Sequence, residues 1–260
     1  MRWAVVTGAS SGIGLEFARQ LAKKRFSLVL VSNQEKELNE CAEHLRSLYF
    51  VEALTLFTDL SIPESVAAIT GFLTEKGIVP EVLVNNAGIF DFRQVADLSE
   101  NRIDIYIGLH VRAVTMLSVE IGRMMAGRRH GYILNMSSMS CWMPMPGIAL
   151  YSSTKAYIRA FSRAFRVEMK DSGVSVTVAC PGGIATNLFG LSEKLQRFAV
   201  KIGVLVTPER FVRRALKKMF RRKAQYINGG LNRLSIVAVA SLPEWARLKV
   251  KRVAFDNKRK

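Results

Sequence analysis

The chain has 260 residues, 49% of them hydrophobic and 23% charged, which is sufficient for a well-buried core. Its three cysteines, Cys41, Cys141 and Cys180, are odd in number and widely spaced, so we expect neither a disulfide framework nor a metal-binding pair, and a reducing compartment. The net charge of +17 is uneven: residues 193–260 hold 19 basic and 4 acidic residues, against 19 and 17 in residues 1–192, and this asymmetry predicts an anionic partner.

Strand-like and helix-like patterns alternate along the chain. Apolar runs predict strands at residues 2–6, 27–32, 51–57, 80–84, 132–136 and 174–180, with a seventh candidate at 224–227. Helical spacing predicts helices at residues 14–24, 34–49, 63–76, 99–122, 150–171 and 208–223. Strands that are apolar throughout are buried on both faces. Their alternation with helices predicts a Rossmann-type doubly wound parallel sheet of about seven strands with helices on both faces.

No linker-like segment interrupts this pattern. We therefore expect one domain over residues 1–230 and a basic, apolar extension over residues 231–260 that packs on it or trails from it. The first strand begins almost at Met1, so we expect no signal peptide. The apolar run at residues 234–242 is shorter than the ~18–20 residues of a membrane span. We expect a cytoplasmic protein, either soluble or peripheral on the inner face of a membrane.

A glycine-rich turn follows the first strand and precedes a helix, with the sequence Thr7-Gly8-Ala9-Ser10-Ser11-Gly12-Ile13-Gly14. Glycines lack a Cβ atom, so the turn can lie close to a pyrophosphate, and the N-terminus of the next helix favours an anion. The two serines add hydroxyl donors. Taken alone, the motif fits a plain turn equally well, and its spacing is longer than that of G-x-G-x-x-G. Its position is the one that a dinucleotide-binding fold requires.

Tyr151 and Lys155 lie four residues apart and share one face of a predicted helix. A free tyrosine has a pKa of about 10 and is a poor acid–base group at neutral pH, but a nearby lysine cation lowers that pKa. Ser138 follows the fifth strand, at the edge where parallel sheets bind ligands, and its hydroxyl can orient a carbonyl oxygen. Each feature also has an ordinary explanation, as a surface pair on a helix or as a serine-rich turn.

Together, in order and spacing, these motifs resemble the short-chain dehydrogenase/reductase family. The resemblance covers about residues 2–230. It rests on the glycine turn, on Asn85-Asn86-Ala87-Gly88 after the fourth strand, on Ser138, Tyr151 and Lys155, and on Pro181-Gly182 after the sixth strand. It implies an NAD(P)-dependent oxidoreductase in which Tyr151 is the general acid or base, Lys155 lowers its pKa and binds the nicotinamide ribose, and Ser138 positions the substrate oxygen.

The resemblance and the glycine turn together assign the cofactor site. Asp59 is expected to accept from the adenine amino group and Thr186 to contact the carboxamide. The cofactor-binding residues expected on these grounds are Gly8, Ser10, Ser11, Gly12, Ile13, Gly14, Ser32, Asn33, Asp59, Leu60, Asn86, Ala87, Gly88, Tyr151, Lys155, Pro181, Gly182, Ile184 and Thr186.

One catalytic position departs from the family pattern. Many members have an asparagine in the helix before the fifth strand, where it holds a water in a proton relay, and the matching position here is His110. A histidine can still bend the helix and bind water, so we expect His110 to be catalytic and to add a group that titrates near neutrality. The alternative is a packed histidine.

The end of the second strand bears on the choice of cofactor. An aspartate there favours NAD and an arginine nearby favours NADP. The strand ends with Val31, Ser32 and Asn33, which neither repel nor clasp a 2′-phosphate. Because the carboxylate that excludes a phosphate is missing, the sequence favours NADP(H) over NAD(H).

Residues between Ser138 and Tyr151 must run near the substrate. The expected substrate-binding residues are Met139, Trp142, Met143 and Phe189. Methionine and aromatic side chains make an adaptable apolar wall, which predicts a small lipophilic ketone, acyl or hydroxy substrate. The alternative is that about half of these residues only close the core. Cys141 is expected to be a pocket residue and not a nucleophile.

The basic C-terminal region predicts an apolar stripe against the sheet and a cationic outer face on residues 209–223. Trp245 among basic residues suits an anionic membrane surface; a solvated face is the alternative, and no motif for nucleic acid is present. By family analogy we expect a homodimer or homotetramer. The competing function is a non-enzymatic, nucleotide-binding relative with a basic surface for a membrane or partner.

Overall fold

The computed structural model describes residues 1–184 and 205–255. The seven strands in these ranges form one parallel sheet in the order β3-β2-β1-β4-β5-β6-β7. The prediction of a doubly wound parallel sheet of about seven strands is therefore confirmed. The strands are β1 (Trp3–Thr7), β2 (Ser27–Ser32), β3 (Ala53–Phe57), β4 (Val82–Asn85), β5 (Gly131–Met136), β6 (Val174–Cys180) and β7 (Gln225–Ile227).

Helices cover both faces of the sheet. They are α1 (Gly12–Lys23), α2 (Glu35–Tyr49), α3 (Ser65–Glu75), α4 (Glu100–Ile107), α5 (Val114–Gly127), α6 (Ala149–Glu168), α7 (Pro208–Phe220), α8 (Gly230–Ala240) and α9 (Glu244–Phe255). A short 3₁₀ helix, Met139–Trp142, precedes α6. Apart from the predicted helix at 99–122, the predicted bounds differ from these by no more than three residues at either end.

The predicted helix at 99–122 is divided in the structure. A π-helical stretch, Gly108–Ala113, separates α4 from α5. Gly108 packs against Ser61, whose carbonyl oxygen would lie 2.2 Å from a Cβ at that position. Apolar spacing does not reveal the change from i+4 to i+5 hydrogen bonds, so the sequence predicted one continuous helix.

Alternation along each strand divides the core into two layers. Ala4, Val6, Leu28 and Leu30 face α1, α2 and α7, whereas Val5 and its neighbours in β2 face α3 and α5. The apolar stripe predicted for residues 209–223 is confirmed. Its buried members are Phe211, Val212, Ala215, Leu216 and Met219.

The described part of the C-terminal extension forms α8 and α9. Phe255 of α9 stacks on Phe92, with ring centroids 5.2 Å apart. A Cβ at Gly147 would lie 2.5 Å from the Phe255 ring, so the end of α9 covers the loop before α6. This part of the extension packs on loops that follow β4 and precede α6.

The stretch Glu100–Gly127 is long and apolar enough to cross a membrane by length and composition, with a mean hydropathy of 1.3. More than half of its most apolar window, 56%, is buried inside the fold. That burial is typical of a core helix, so the helix is weak support for a membrane span.

Candidate active site

The glycine-rich turn lies at the carboxyl edge of the sheet, between β1 and α1. Gly8 has a left-handed backbone (φ +63°), and a Cβ there would lie 2.9 Å from the Cα of Ala87. A Cβ at Gly14 would lie 1.8 Å from the Gly8 carbonyl oxygen, so this contact requires glycine. Gly12 also has a positive φ, and Ile13 packs partly against the core. The turn leads into the N-terminus of α1, and its backbone fits the close approach of a dinucleotide pyrophosphate.

The two serines of this turn have different surroundings. Ser10 is buried, and its hydroxyl donates to Gln34 Oε1 (2.7 Å) and lies 2.9 Å from Ser32 Oγ. Ser11 is exposed at the N-cap of α1, where its side chain makes no capping hydrogen bond. Ser10 therefore holds the end of β2 against the turn, and Ser11 is the exposed serine of the turn, at the N-terminus of α1.

The ends of β2 and β3 supply the other side of the expected nucleotide site. Ser32 is buried and accepts from the backbone N–H of Gln34 (3.2 Å), whereas Asn33 is exposed. Asp59 follows β3, and its Oδ1 accepts from the backbone N–H and the hydroxyl of Ser61, both at 2.8 Å. Leu60 is buried. The end of β2 is therefore polar and uncharged, as predicted.

Asn86 and Ala87 brace the end of β4 against β1. Thr7 Oγ1 accepts from the backbone N–H groups of both residues at 3.0 Å, and the Asn86 amide donates to the Thr7 carbonyl at 3.1 Å. Gly88 comes next, and a Cβ there would lie 2.9 Å from His110 Nε2 and 3.4 Å from Lys155 Nζ. This close packing places the predicted Asn86-Ala87-Gly88 segment directly beside the catalytic candidates.

The structure brings Ser138, Tyr151 and Lys155 together. The Ser138 side chain lies near enough to Tyr151 to influence its pKa, and Lys155 Nζ lies 5.6 Å from the centre of the Tyr151 ring. Lys155 is buried, donates to the Met136 carbonyl at 3.2 Å, and its own carbonyl accepts from Ser137 Oγ at 2.7 Å. The end of β5 thus fixes the turn of α6 that carries the tyrosine and the lysine.

Burial dominates the electrostatics of this pair. Desolvation raises the pKa of Tyr151 to about 12, although the hydrogen bond from Ser138 opposes the rise. Desolvation likewise lowers the pKa of Lys155 to about 8. The sequence predicted a lowered pKa for Tyr151, so the direction here is opposite. The physical reason is that a residue spacing shows that a cation is near but does not show that the phenol is almost fully buried.

His110 is locked in the core and does not titrate near neutrality, which corrects the expectation from the sequence. Its Nε2 accepts from the backbone N–H of Ile89 (3.1 Å), and its Nδ1 lies 3.0 Å from Thr154 Oγ1. Because Thr154 Oγ1 donates to the Tyr151 carbonyl (2.9 Å), the ring carries its proton on Nδ1. Burial, with Lys155 nearby, lowers the pKa of His110 well below its ordinary value. Both ring nitrogens are in use, so the side chain packs and links the loop after β4 to α6.

The segment after β6 lies against the end of β7. Pro181 accepts through its carbonyl from the backbone N–H of Met139 (2.8 Å), and the N–H of Gly182 donates to Asn228 Oδ1 (2.7 Å). Ile184 is buried and forms a bridge to Val206. Two predicted site residues lie outside the described residues: Thr186 and Phe189.

The expected substrate wall is only partly assembled near the tyrosine. Phe90 meets Tyr151 edge-on, with centroids 5.0 Å apart. Met139 packs against Gly182: a Cβ at Gly182 would lie 2.9 Å from the Met139 sulfur. Trp142 packs with Ile158 and Val178, and the Arg159 guanidinium lies 4.4 Å from its ring centre. Met143 is half-buried at the end of the 3₁₀ helix. Trp142 therefore packs against the core and is only partly buried, and its contact with substrate remains a prediction.

Several supporting residues of the site were not predicted from the sequence. They share one property: each fixes a strand end or a catalytic side chain through a single polar group. They are Thr7, Gln34, Met136, Ser137, Thr154 and Asn228. Thr7, Met136 and Ser137 lie at strand ends, and this position could have identified them from the sequence. Asn228 could not be identified in this way, because its partner, Gly182, is 46 positions away in the chain.

The chain is similar to proteins of one known family. The chain matches the short chain dehydrogenase family model over residues 2–196. It is 35% identical to very-long-chain 3-oxoacyl-CoA reductase-A of Danio rerio, over 81% of this chain and 65% of that protein. It is 33% identical to inactive hydroxysteroid dehydrogenase-like protein 1 of Homo sapiens, over 75% of this chain and 60% of that protein. The chain therefore spans less than two thirds of either relative.

Among solved structures, a short-chain dehydrogenase from Sphingobium yanoikuyae in complex with NADPH aligns with a TM-score of 0.80 at 25% identity. The alignment covers 94% of this chain and 97% of that one. The sheet and its helices are therefore shared along almost the whole of both chains.

Proposed function

The chain belongs to the short-chain dehydrogenase family, and from that premise we propose that it is an NAD(P)-dependent oxidoreductase that interconverts a carbonyl and an alcohol group on a lipophilic substrate. The observation that carries this proposal is the meeting of Tyr151 with Ser138 and with the buried Lys155, whose Nζ lies 5.6 Å from the centre of the tyrosine ring. An acid–base group, a donor that orients a carbonyl, and a cation that stabilises the phenolate meet beside the glycine turn.

The chain's own residues move the proton. When bound, the nicotinamide supplies or accepts the hydride. In the direction of reduction, Ser138 and Tyr151 donate hydrogen bonds to the carbonyl oxygen, and the Tyr151 hydroxyl transfers its proton to that oxygen as negative charge develops there. Lys155, with a pKa of about 8, stays largely protonated at pH 7, so its charge stabilises the phenolate left behind. In the direction of oxidation, the phenolate accepts the proton.

NADP(H) is the cofactor that the end of β2 favours. Ser32 and Asn33 offer hydrogen bonds without a carboxylate, and Gln34 is tied to Ser10. A 2′-phosphate therefore meets no negative side chain from these three positions. The structural relative from Sphingobium yanoikuyae holds NADPH, which supports the same choice.

A lipophilic acyl substrate is the class that the surroundings favour. Phe90 lies against Tyr151, and Phe92 with Phe255 covers the neighbouring loop. The Danio rerio relative is named as a 3-oxoacyl-CoA reductase with a very-long-chain substrate. We accordingly propose 3-oxoacyl thioesters as the first class to test, with apolar ketones as the second.

A non-enzymatic, nucleotide-binding protein is the second candidate, favoured by the relative that is named inactive. Turnover of an acyl-chain and ketone panel with NADPH and NADH separates the two. Tyr151→Phe is expected to lower kcat by at least ~100-fold while nucleotide fluorescence still reports binding. Tyr157→Phe on the same helix, whose hydroxyl bonds Thr115, is the matched control and keeps its rate. Nucleotide binding without turnover of any substrate, or equal rates in both variants, would favour the second candidate.

The cationic C-terminal surface is proposed to contact an anionic membrane from the cytoplasmic side. The outer face of α7 is basic, and Trp245, Leu248 and Val253 are exposed on α9 among lysines and arginines. Each basic residue near such a surface contributes about 1 kcal/mol. Co-sedimentation with vesicles containing phosphatidylserine is expected at low salt and lost at high salt, while binding that ignores salt would contradict this account.

Self-association is proposed as a homodimer or homotetramer through α5 and α6. Met116 and Val167 are exposed on these helices, 39% and 72% respectively, and a subunit contact would cover such apolar side chains. Light scattering after size-exclusion chromatography is expected to give twice or four times the 29.0 kDa chain mass, and a monomer would rule this out.

A further inference from the structure

Two cysteines meet directly behind the candidate active site. Cys180 ends β6, and Cys141 lies in the 3₁₀ helix that begins just after Ser138. The backbone sets their register, because Ser137 N–H donates to the Ala179 carbonyl (2.8 Å) and Met139 N–H to the Pro181 carbonyl (2.8 Å). Cys141 packs against the cluster of buried residues that contains Cys180, and the two thiols affect each other electrostatically, although 39 positions separate them in the chain.

Their surroundings differ in the way that a reactive and a resolving thiol differ. Cys180 is fully buried, in a cluster with Val114, Ile158 and Val178. Cys141 is partly exposed and packs against the same cluster. Of the two cysteines, Cys141 is therefore the one that is partly exposed to solvent.

We propose that Cys141 and Cys180 are a redox modification site, at which a hydroperoxide oxidises the pair to a disulfide that reversibly disables the neighbouring active site. The modification itself depends only on the two thiols. Its effect on turnover rests on the proposed oxidoreductase function.

The electrostatics of the pair support this assignment. The pKa of Cys141 is lowered from its ordinary value, chiefly because it accepts a hydrogen bond from the Cys180 thiol, with help from Ser137 and the cation of Arg159. The pKa of Cys180 is raised, by its hydrogen bond to Cys141 and by burial. Of the two thiols, Cys141 is therefore the one whose ionisation is favoured, and in this proposal it is the one that attacks a peroxide.

The reaction balances without any further reagent. The Cys141 thiolate attacks one oxygen of the hydroperoxide, the O–O bond breaks, and Cys141 becomes a sulfenic acid while the second oxygen leaves as hydroxide or alkoxide and takes up a proton. The Cys180 sulfur then attacks the Cys141 sulfur; the S–O bond breaks, and the Cys180 proton leaves with the hydroxyl as water. Two thiols are oxidised and one peroxide is reduced.

Closing the bond changes the position of Ser138. The two sulfurs must approach to about 2.05 Å, which is much shorter than a contact between unbonded sulfurs, so the 3₁₀ helix has to shift toward β6. Ser138 caps this helix, since its hydroxyl accepts from the backbone N–H of Ser140 (3.1 Å), and it also lies near Tyr151. Such a shift disturbs the donor geometry that the reaction requires, and a misplacement of about 1 Å can lower a rate by about 100-fold.

Peptide mapping tests the modification directly. The full chain, first reduced, is exposed briefly to hydrogen peroxide, then unfolded and alkylated. The expected result is a mass lower by about 2 Da before alkylation and a peptide linking Cys141 to Cys180. Cys41 is the internal control, because burial raises its pKa to about 11 and its thiol faces the Ala9 carbonyl, so it is alkylated. Recovery of Cys141 and Cys180 both alkylated, or of Cys141 as a sulfinic acid beside an alkylated Cys180, overturns the proposal.

A second measurement tests the consequence. Brief oxidation is expected to lower turnover by at least about tenfold in the unaltered chain, with recovery in dithiothreitol, and by less than about twofold in Cys180→Ala. Cys41→Ala is the matched control and responds like the unaltered chain. Equal losses in Cys180→Ala and the unaltered chain overturn the role of the disulfide. Absence of turnover in every reduced preparation contradicts the proposed function instead. Peptide mapping then still decides whether the disulfide forms, and it uses the unaltered chain, so no variant has to fold.

Discussion

Replacing Lys155 with methionine is expected to stabilise the fold while it abolishes turnover. The ammonium is buried, and desolvation lowers its pKa from 10.5 to about 8. At about 1.4 kcal/mol per pKa unit, this difference corresponds to about 3 kcal/mol of unfolding free energy. Methionine has a similar length and no charge, but it leaves the Met136 carbonyl without its donor, which costs about 1 kcal/mol. The net gain at pH 7 is therefore about 2 kcal/mol.

The dependence on pH identifies the cause. Below pH 8 the lysine is protonated in both the folded and the unfolded chain, so the full cost of burying its charge is present. Between pH 8 and 10.5 the folded chain loses the proton before the unfolded chain does, and the cost disappears. The advantage of Lys155→Met should thus shrink from about 2 kcal/mol at pH 7 to nothing near pH 10.

Urea unfolding of both proteins at the two pH values measures this difference. At pH 7 the gain corresponds to a rise in Tm of roughly 4–8 °C. Lys217→Met, on the exposed face of α7, is the matched control, and its effect is expected to stay within about 0.5 kcal/mol at either pH. A Lys155→Met protein that is less stable at pH 7, or whose difference from the unaltered chain does not change with pH, would refute the argument from burial.

Three further substitutions test the nucleotide site and the core. Asn33→Asp places a carboxylate at the end of β2, and we expect it to weaken NADPH binding by ~10-fold or more in fluorescence titrations while NADH binding is retained; equal losses would contradict the assignment. Gly14→Ala should abolish nucleotide binding, because its Cβ would lie 1.8 Å from the Gly8 carbonyl oxygen. Gly71→Ala in α3 is the control: it has open space around it, so the protein should bind nucleotide normally and gain up to ~1 kcal/mol in stability. Because the pKa of His110 is lowered in the fold, only the unfolded chain takes up this proton as the pH falls below 6.5. In urea unfolding, the unaltered chain should therefore lose up to about 1.4 kcal/mol of stability relative to His110→Asn for each pH unit of acidification. Parallel plots of stability against pH for the two proteins would show that the histidine is accessible.

The His110 position shows that a family pattern can locate a residue without showing how that residue titrates. The resemblance located a histidine where many relatives have an asparagine, and the structure places it beside Gly88 and Lys155. Its two ring nitrogens, however, are both committed, to Ile89 and to Thr154. Burial removes the charge that the free residue would carry near neutrality.

The architecture and the main motifs followed from the sequence. Continuous apolar strands that alternate with amphipathic helices admit few arrangements other than a covered parallel sheet. Parallel strands bring their carboxyl ends to one edge, so the glycine turn, Ser138 and the Tyr151–Lys155 pair were expected to meet there. The stripe of α7 followed for the same reason: helical spacing of 3.6 residues fixes which side chains share a face.

The properties that decide the chemistry depended on the tertiary structure. The pKa directions of Tyr151 and Lys155 come from burial, which is a property of all the elements packed around them. The contact of Cys141 with Cys180 depends on the register of β5 and β6, and that of Phe255 with Phe92 on how the last helix returns to the loops. Local spacing records which residues share an element, whereas distances between residues far apart in the chain, and the water that their packing excludes, exist only in the folded molecule.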